Sequence, residues 1–100
     1  MVKHIVMWKL KEFAEGYKKK DNINILKDKI ENLKKVIPEI RHIEVGVNFN
    51  PSDQAFDVAL YSEFENRKAL ELYQNHPEHR KVARFVGKVR SDRKVVDYEL

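Results

Sequence analysis

The sequence contains no cysteine, which rules out a disulfide scaffold, thiolate zinc sites and a cysteine nucleophile. It has no glycine-rich phosphate loop, no nucleophile elbow and no paired-carboxylate signature, and this argues against phosphoryl transfer and serine hydrolysis. No apolar run approaches the length of a membrane span, and the opening Met1-Val2-Lys3-His4-Ile5-Val6-Met7-Trp8 is no signal-peptide core. The expected location is therefore the cytoplasm. Low-complexity runs and internal repeats are also missing.

What is present is a soluble, globular balance: 100 residues, 42% hydrophobic and 36% charged. That length predicts one domain over residues 1–100 with a single core. A chain of this size buries only about 60 to 70% of its unfolded surface, so oligomerisation is an obvious source of added stability. The formal charge is +4, with acids and bases interleaved over most of the chain. One stretch differs. From Arg80 to Lys94, seven bases (Arg80, Lys81, Arg84, Lys88, Arg90, Arg93, Lys94) face one acid, Asp92. No stacking aromatics are interleaved as in a nucleic-acid surface, so the run reads first as the solvent face of a helix and loop, and second as an anion or nucleic-acid site.

Hydrophobic periodicity orders the elements. Lys3 to Leu10 places Val6, Trp8 and Leu10 on one alternation face and Ile5 and Met7 on the other, a strand buried on two sides. Glu12 to Lys20 is polar, with a Gly16-Tyr17 break, and reads as a loop or a frayed helical lead-in. Ile23, Leu26, Ile30, Leu33 and Ile37 then draw one apolar stripe down a helix, which Asp21 or Asn22 would cap and Pro38 would stop. Ile43, Val45 and Val47 alternate with polar residues in a second strand. Across the turn cluster Asn48 to Gln54, a third strand sets Phe56, Val58, Leu60 and Phe64 against Ala59 and Tyr61. Asn66 fits as the cap of a second helix, Pro77 as the first residue of a new helical turn, and Val95 to Tyr98 as a terminal strand.

The order β-α-β-β-α-β predicts an α+β, ferredoxin-like sheet with both helices on one side. Strands one and three carry apolar residues on both sides, and the chain has no helices left to cover the second. A second subunit, docked sheet to sheet, is the economical cover.

Few residues can carry chemistry. His4 shares a face with Val6 and Trp8, as a hydrogen-bonded core histidine would. His42 starts a strand on its polar side and reads as solvated. His76 and His79 flank Pro77 three residues apart, a weak metal pair without a third ligand, and His76 is equally a cap for the turn. Tyr73, one turn earlier, and Tyr61 are further inward-looking polar tips.

Met1-Val2-Lys3-His4-Ile5-Val6 through Leu10-Lys11, the Ile37-Pro38 that closes helix one, and Tyr73-Gln74-Asn75-His76-Pro77-Glu78-His79 with Phe85-Val86 together resemble the stress-responsive dimeric A/B barrel family. The resemblance spans nearly the whole chain. It implies a homodimer whose two sheets face each other as a dimeric α+β barrel, with the helices outside. It implies a site as well: in a plant polyketide cyclase of the family, a strand-one histidine and a tyrosine and histidine around His-Pro-x-His line a pocket, which maps onto His4, Tyr73 and His79. In that chemistry the helical histidine is the general base and the tyrosine binds or polarises the substrate. Where the cyclase has a further tyrosine and histidine, this chain has Ile30 and Val58 or Asp57. Some members hold magnesium on main-chain carbonyls that correspond to Lys34, Ile37 and Ile40, and no other cofactor is expected.

Three readings follow. The first is a homodimeric stress or housekeeping protein binding a small apolar or aromatic ligand. The second is a cofactor-independent cyclase-like or monooxygenase-like enzyme using His4, Tyr73 and His79. The third is an anion or nucleic-acid binder acting through Arg80 to Lys94.

Overall fold

The computed structural model of the chain describes residues 1–100. Its elements are β1 (Val2–Leu10), β2 (Phe13–Ala14), β3 (Tyr17–Lys18), α1 (Lys19–Glu31), a 3-10 turn (Asn32–Lys35), β4 (Ile40–Val47), β5 (Val58–Phe64), α2 (Arg67–Asn75), α3 (Pro77–Val89) and β6 (Arg90–Glu99). Four strands form one antiparallel sheet in the order β4-β5-β1-β6. This is the ferredoxin-like βαββαβ arrangement, with a small extra hairpin and a divided second helix.

The hairpin corrects the expected loop or lead-in. Phe13 pairs with Lys18 and Ala14 with Tyr17, and the chain reverses through Glu15 (φ 52°) and Gly16 (φ 83°). Two successive left-handed residues make the tight turn that matches strand twist, and strands of two residues are too short to show a period in sequence. The hairpin also displaces the expected cap. Helix α1 begins at Lys19, with Lys18 at the N-cap making no side-chain bond. Asn22 is instead fully buried in the first turn, where Nδ2 donates to the carbonyls of Ala14 (3.0 Å) and Tyr17 (3.4 Å). The residue read as a cap fastens the hairpin to the helix.

The predicted stripe on α1 holds: Leu26, Ile30, Leu33 and Ile37 are buried. The α-helix ends at Glu31, before Pro38, and tightens into the 3-10 turn, where Val36 and Ile37 both donate to the Leu33 carbonyl. Pro38 therefore follows a helix that has already narrowed. On the other side of the chain, Asn66 caps α2 by accepting from Ala69 N at 2.8 Å. Pro77 opens α3, and His76 Nδ1 accepts from Glu78 N at 3.1 Å.

The buried side chains form two apolar clusters. One centres on Val6, Trp8, Leu26, Leu60 and Val86; the other on Val2, Ile37, Phe64, Leu70 and Tyr73. The break between α2 and α3 falls where one cluster gives way to the other. The opposite side of the sheet carries no helix. Register places Lys3, Ile5 and Met7 of β1 there, with Tyr61 of β5 and Tyr98 and Val96 of β6 beside them.

Candidate functional site

A cavity of about 300 Å3 lies between the sheet and helices α1 and α3, where the two clusters meet. Its floor is the inner face of β1 (His4, Val6, Trp8), its walls include Ile30, Leu33, Leu60 and Val86, and Tyr73 and His79 close one end. Ala83, Gly87, Arg90 and Arg93 line it too and are exposed, so the opening runs between α3 and β6. The volume stands at the lower end of the roughly 300–1,000 Å3 usual for small-molecule sites.

The structure brings His4, Tyr73 and His79 together. The rings of Tyr73 and His79 have centroids 4.5 Å apart, and those of His4 and Tyr73 are 6.3 Å apart. Each arrives by a different route. Strand alternation turns His4 inward between Val2 and Val6, and the His76 cap followed by Pro77 restarts the helix so that His79 falls one turn inside α3. Tyr73 lies in the last turns of α2 and is almost fully buried.

Their electrostatics differ. His4 is buried, and its Nδ1 bonds the Asp97 carboxylate of the neighbouring strand at 2.5 Å, which fixes the ring and leaves Nε2 for the cavity. Burial pushes the Tyr73 hydroxyl well above its ordinary value, so it remains a proton-bearing donor at any physiological pH. Burial pulls His79 below its ordinary value. The Gln74 carbonyl opposes this, while the charges of His4, Arg93 and His76 add to it. At neutral pH His79 is therefore the uncharged imidazole, and its buried Nδ1 has no hydrogen-bond partner. Trp8 Nε1, also buried in the cavity floor, has none either. Buried polar atoms without partners are uncommon, and two on residues that line one cavity suit it to a ligand with polar atoms.

Several residues that line the cavity or brace it were missed in the sequence. Trp8 read as an apolar strand residue, Arg90 and Arg93 as solvent-facing charge, and Asp97 as part of a terminal strand. The expected helix and loop for the basic run is in fact helix and strand. Arg80, Lys81, Arg84 and Lys88 lie on α3 and Arg90, Arg93 and Lys94 on β6, which divides the run among the helix exterior, the cavity mouth and the open sheet face. Lys81 pairs with Glu78 and Lys88 with Glu15, so the charge forms no continuous stripe.

His76 is occupied as a cap and takes no part in the cavity, and no group of His, Asp and Glu side chains could hold a metal. The main-chain positions Lys34, Ile37 and Ile40 do not fit a magnesium ion as they stand. The Ile40 carbonyl accepts from Lys34 Nζ at 2.7 Å, the same ammonium takes the Arg41 carbonyl at 2.8 Å, and the Ile37 carbonyl accepts from Ile40 N. A lysine supplies the cation there. Ile30 is part of the cavity wall, whereas Asp57 accepts from Leu10 N at 2.7 Å and lies 3.4 Å from Lys19 Nζ, outside the cavity.

The stress-responsive A/B barrel domain matches residues 2–100. The chain belongs to that family. A solved structure from Bacteroides fragilis, a dimeric protein of unknown function with a ferredoxin-like fold, is 38% identical over 99% of this chain and 95% of its own, with a TM-score of 0.84. A dimeric ferredoxin-like protein of unknown function from Thermobifida fusca is 20% identical, covering 99% and 90%, with a TM-score of 0.85. A hydroxynitrile lyase from Passiflora edulis is 20% identical, covering 99% and 92%, with a TM-score of 0.83. No curated protein matches the sequence. At 20% identity the last two likenesses are of fold, and a shared fold does not carry activity with it. The activity of this A/B barrel chain is unassigned, and it must be argued from the cavity itself. No helix is long and apolar enough to cross a membrane.

Proposed function

We propose that this A/B barrel protein is a homodimer in which the cavity of each subunit binds a small, mainly apolar or aromatic carbonyl compound, with His79 as general base. The observation that carries this reading is a half-buried His79, uncharged at neutral pH, whose buried Nδ1 has no hydrogen-bond partner and whose ring centroid lies 4.5 Å from that of Tyr73, in a cavity whose other walls are mostly apolar. A base must be unprotonated and unpaired to take a proton, and burial provides the first while the lack of a partner provides the second. Tyr73, held in its protonated form, is placed to donate to a carbonyl oxygen, which would spread the charge left when a neighbouring C–H gives up its proton. His4, braced by Asp97, has Nε2 for a second contact with the substrate. The chemistry needs no cofactor, and its simplest form is proton abstraction next to a carbonyl, the first step of an aldol-type ring closure.

The sheet-face dimer is part of the same proposal. Met7, Val96 and Tyr98 are exposed on the helix-free side, with Ile5 and Tyr61 half-buried among them. Apolar side chains of that kind, set around the Lys3–Glu63 ion pair and beside Lys94 on the same face, are what a partner sheet would cover.

The test is solvent deuterium exchange at carbon atoms next to the carbonyl, followed by NMR over a panel of β-keto and aryl ketone compounds. Binding should show as a change in the fluorescence of Trp8, the chain's one tryptophan. Exchange should fall at least about a hundredfold in His79→Ala while binding persists, as expected of a general base. Binding with no exchange in the unmodified protein would leave a carrier or sensor, and exchange undiminished in His79→Ala would remove the base from His79.

A further inference from the structure

The cavity is apolar inside, but two arginines stand at its mouth. Arg90, the first residue of β6, and Arg93 line it and are exposed. Register sets Arg93 directly opposite Trp8 on β1, on the helix side of the sheet. Neither guanidinium enters any ion pair, whereas Arg41, Arg67, Lys81 and Lys88 each find a carboxylate. Of the two aspartates of β6, Asp92 accepts from the backbone N–H of Arg93 and Asp97 bonds His4. An unpaired pair of arginines beside an apolar hole is an unusual use of charge, because guanidinium forks match planar anions in a bidentate way.

Resting on the cavity reading above, we propose that the ligand is an amphipathic carboxylic acid. Its aryl or alkyl body fills the cavity, and its carboxylate is held at the mouth by Arg90 and Arg93. The position of the charge follows from desolvation. No cation lines the inner walls, so a carboxylate buried there would lose its hydration without compensation, whereas at the rim it keeps water and gains two guanidiniums. Within the cavity, Trp8 Nε1 is a donor without an acceptor and His79 Nδ1 an acceptor without a donor. An oxo group along the body of the acid would give Trp8 Nε1 its acceptor, and a hydroxyl group, which both accepts and donates, would serve either atom. A neutral ligand of equal size would satisfy the interior and leave the arginines unused, so the arginines are what select the acid.

The experiment compares 3-phenylpropanoate with 3-phenylpropanamide, which have the same body and differ in charge, by Trp8 fluorescence titration of the intact protein. The acid should bind about tenfold or more tightly than the amide, the size expected of charge-assisted contacts at a partly wet site. Arg90→Gln and Arg93→Gln should each weaken the acid about three- to tenfold, and the double variant should bring the two probes level with the amide unchanged. Retained amide binding reports an intact cavity in every variant. Arg84→Gln removes the same charge from the exposed part of α3 away from the cavity and should leave the preference as it was. Equal binding of acid and amide to the unmodified protein would overturn the acid proposal while the cavity reading stood. An equal loss in Arg84→Gln would overturn it too, by tracing the preference to general surface charge. If neither probe binds, the cavity reading and this inference fall together.

Discussion

The two faces of the sheet are built from the same strands and have opposite fates. On β1, Val2, Val6, Trp8 and Leu10 face the helices and are at most 5% exposed, while Met7 on the other face is 39% exposed. Alternation alone sends neighbours to opposite sides, so the sequence shows which residues share a face. The helices cover only one of those faces, and they stop short of the edge: on β6 both Val95, which faces the helix side, and Val96, which faces away, are about half exposed. The uncovered edge has two consequences. It leaves the cavity a mouth between α3 and β6, and it leaves Val95 exposed to solvent on the helix side.

The comparison breaks most severely on the covered face. Phe64→Ala removes a fully buried ring and should cost about 3–5 kcal/mol in a denaturant titration. The same measurement on Tyr61→Asp, on the open face, separates the two faces. It should alter subunit association more than the stability of the separated subunit, with sedimentation shifting toward monomer at micromolar protein. Met7→Asp should behave alike, and a fully folded dimer from both variants would contradict the proposed interface.

A smaller effect tests the covered face through pH. His79 is held below its ordinary value of 6.5 in the folded chain, so between that value and its folded-state value the unfolded chain binds more protons. Its contribution is fully present above about pH 6.5 and is lost as pH falls toward the folded-state value. Thermal transitions recorded between pH 7.5 and 5 should therefore fall less steeply in His79→Leu than in the unmodified protein. Asn66→Ala, which removes the α2 cap, should cost about 1 kcal/mol at all of these pH values.

The smallest change sharpens the account of the mouth. A Cβ at Gly87 would meet nothing within 4 Å, so Gly87→Ala fits without strain. It should stabilise α3 by about 0.5–1 kcal/mol in the same titration, since glycine weakens a helix interior.

Most of the fold was legible in sequence because it rests on local patterns. The α1 stripe, the Asn66 cap, Pro77 at the start of α3 and the alternation of β1 and β5 all depend on residues a few positions apart, and the structure agrees with each. The β2–β3 hairpin was not legible, since it is held by two left-handed turn residues and by Asn22, a residue whose ordinary use at that place is capping. The site was legible in part: His4, Tyr73 and His79 do line one cavity, yet Trp8 was hidden by its apolar setting and Arg93 by its basic neighbours.

The sequence by itself determined the order of the main elements, β-α-β-β-α-β, and the sidedness of β1 and β5. Only the tertiary structure decided that Asp97, 93 positions away, braces His4, that Arg93 stands opposite Trp8, and that the two apolar clusters meet around a space instead of closing on it. Periodicity and capping are set by neighbours along the chain. Strand register and the volume left between packed layers depend on how distant segments close on one another, and no local pattern encodes that sum.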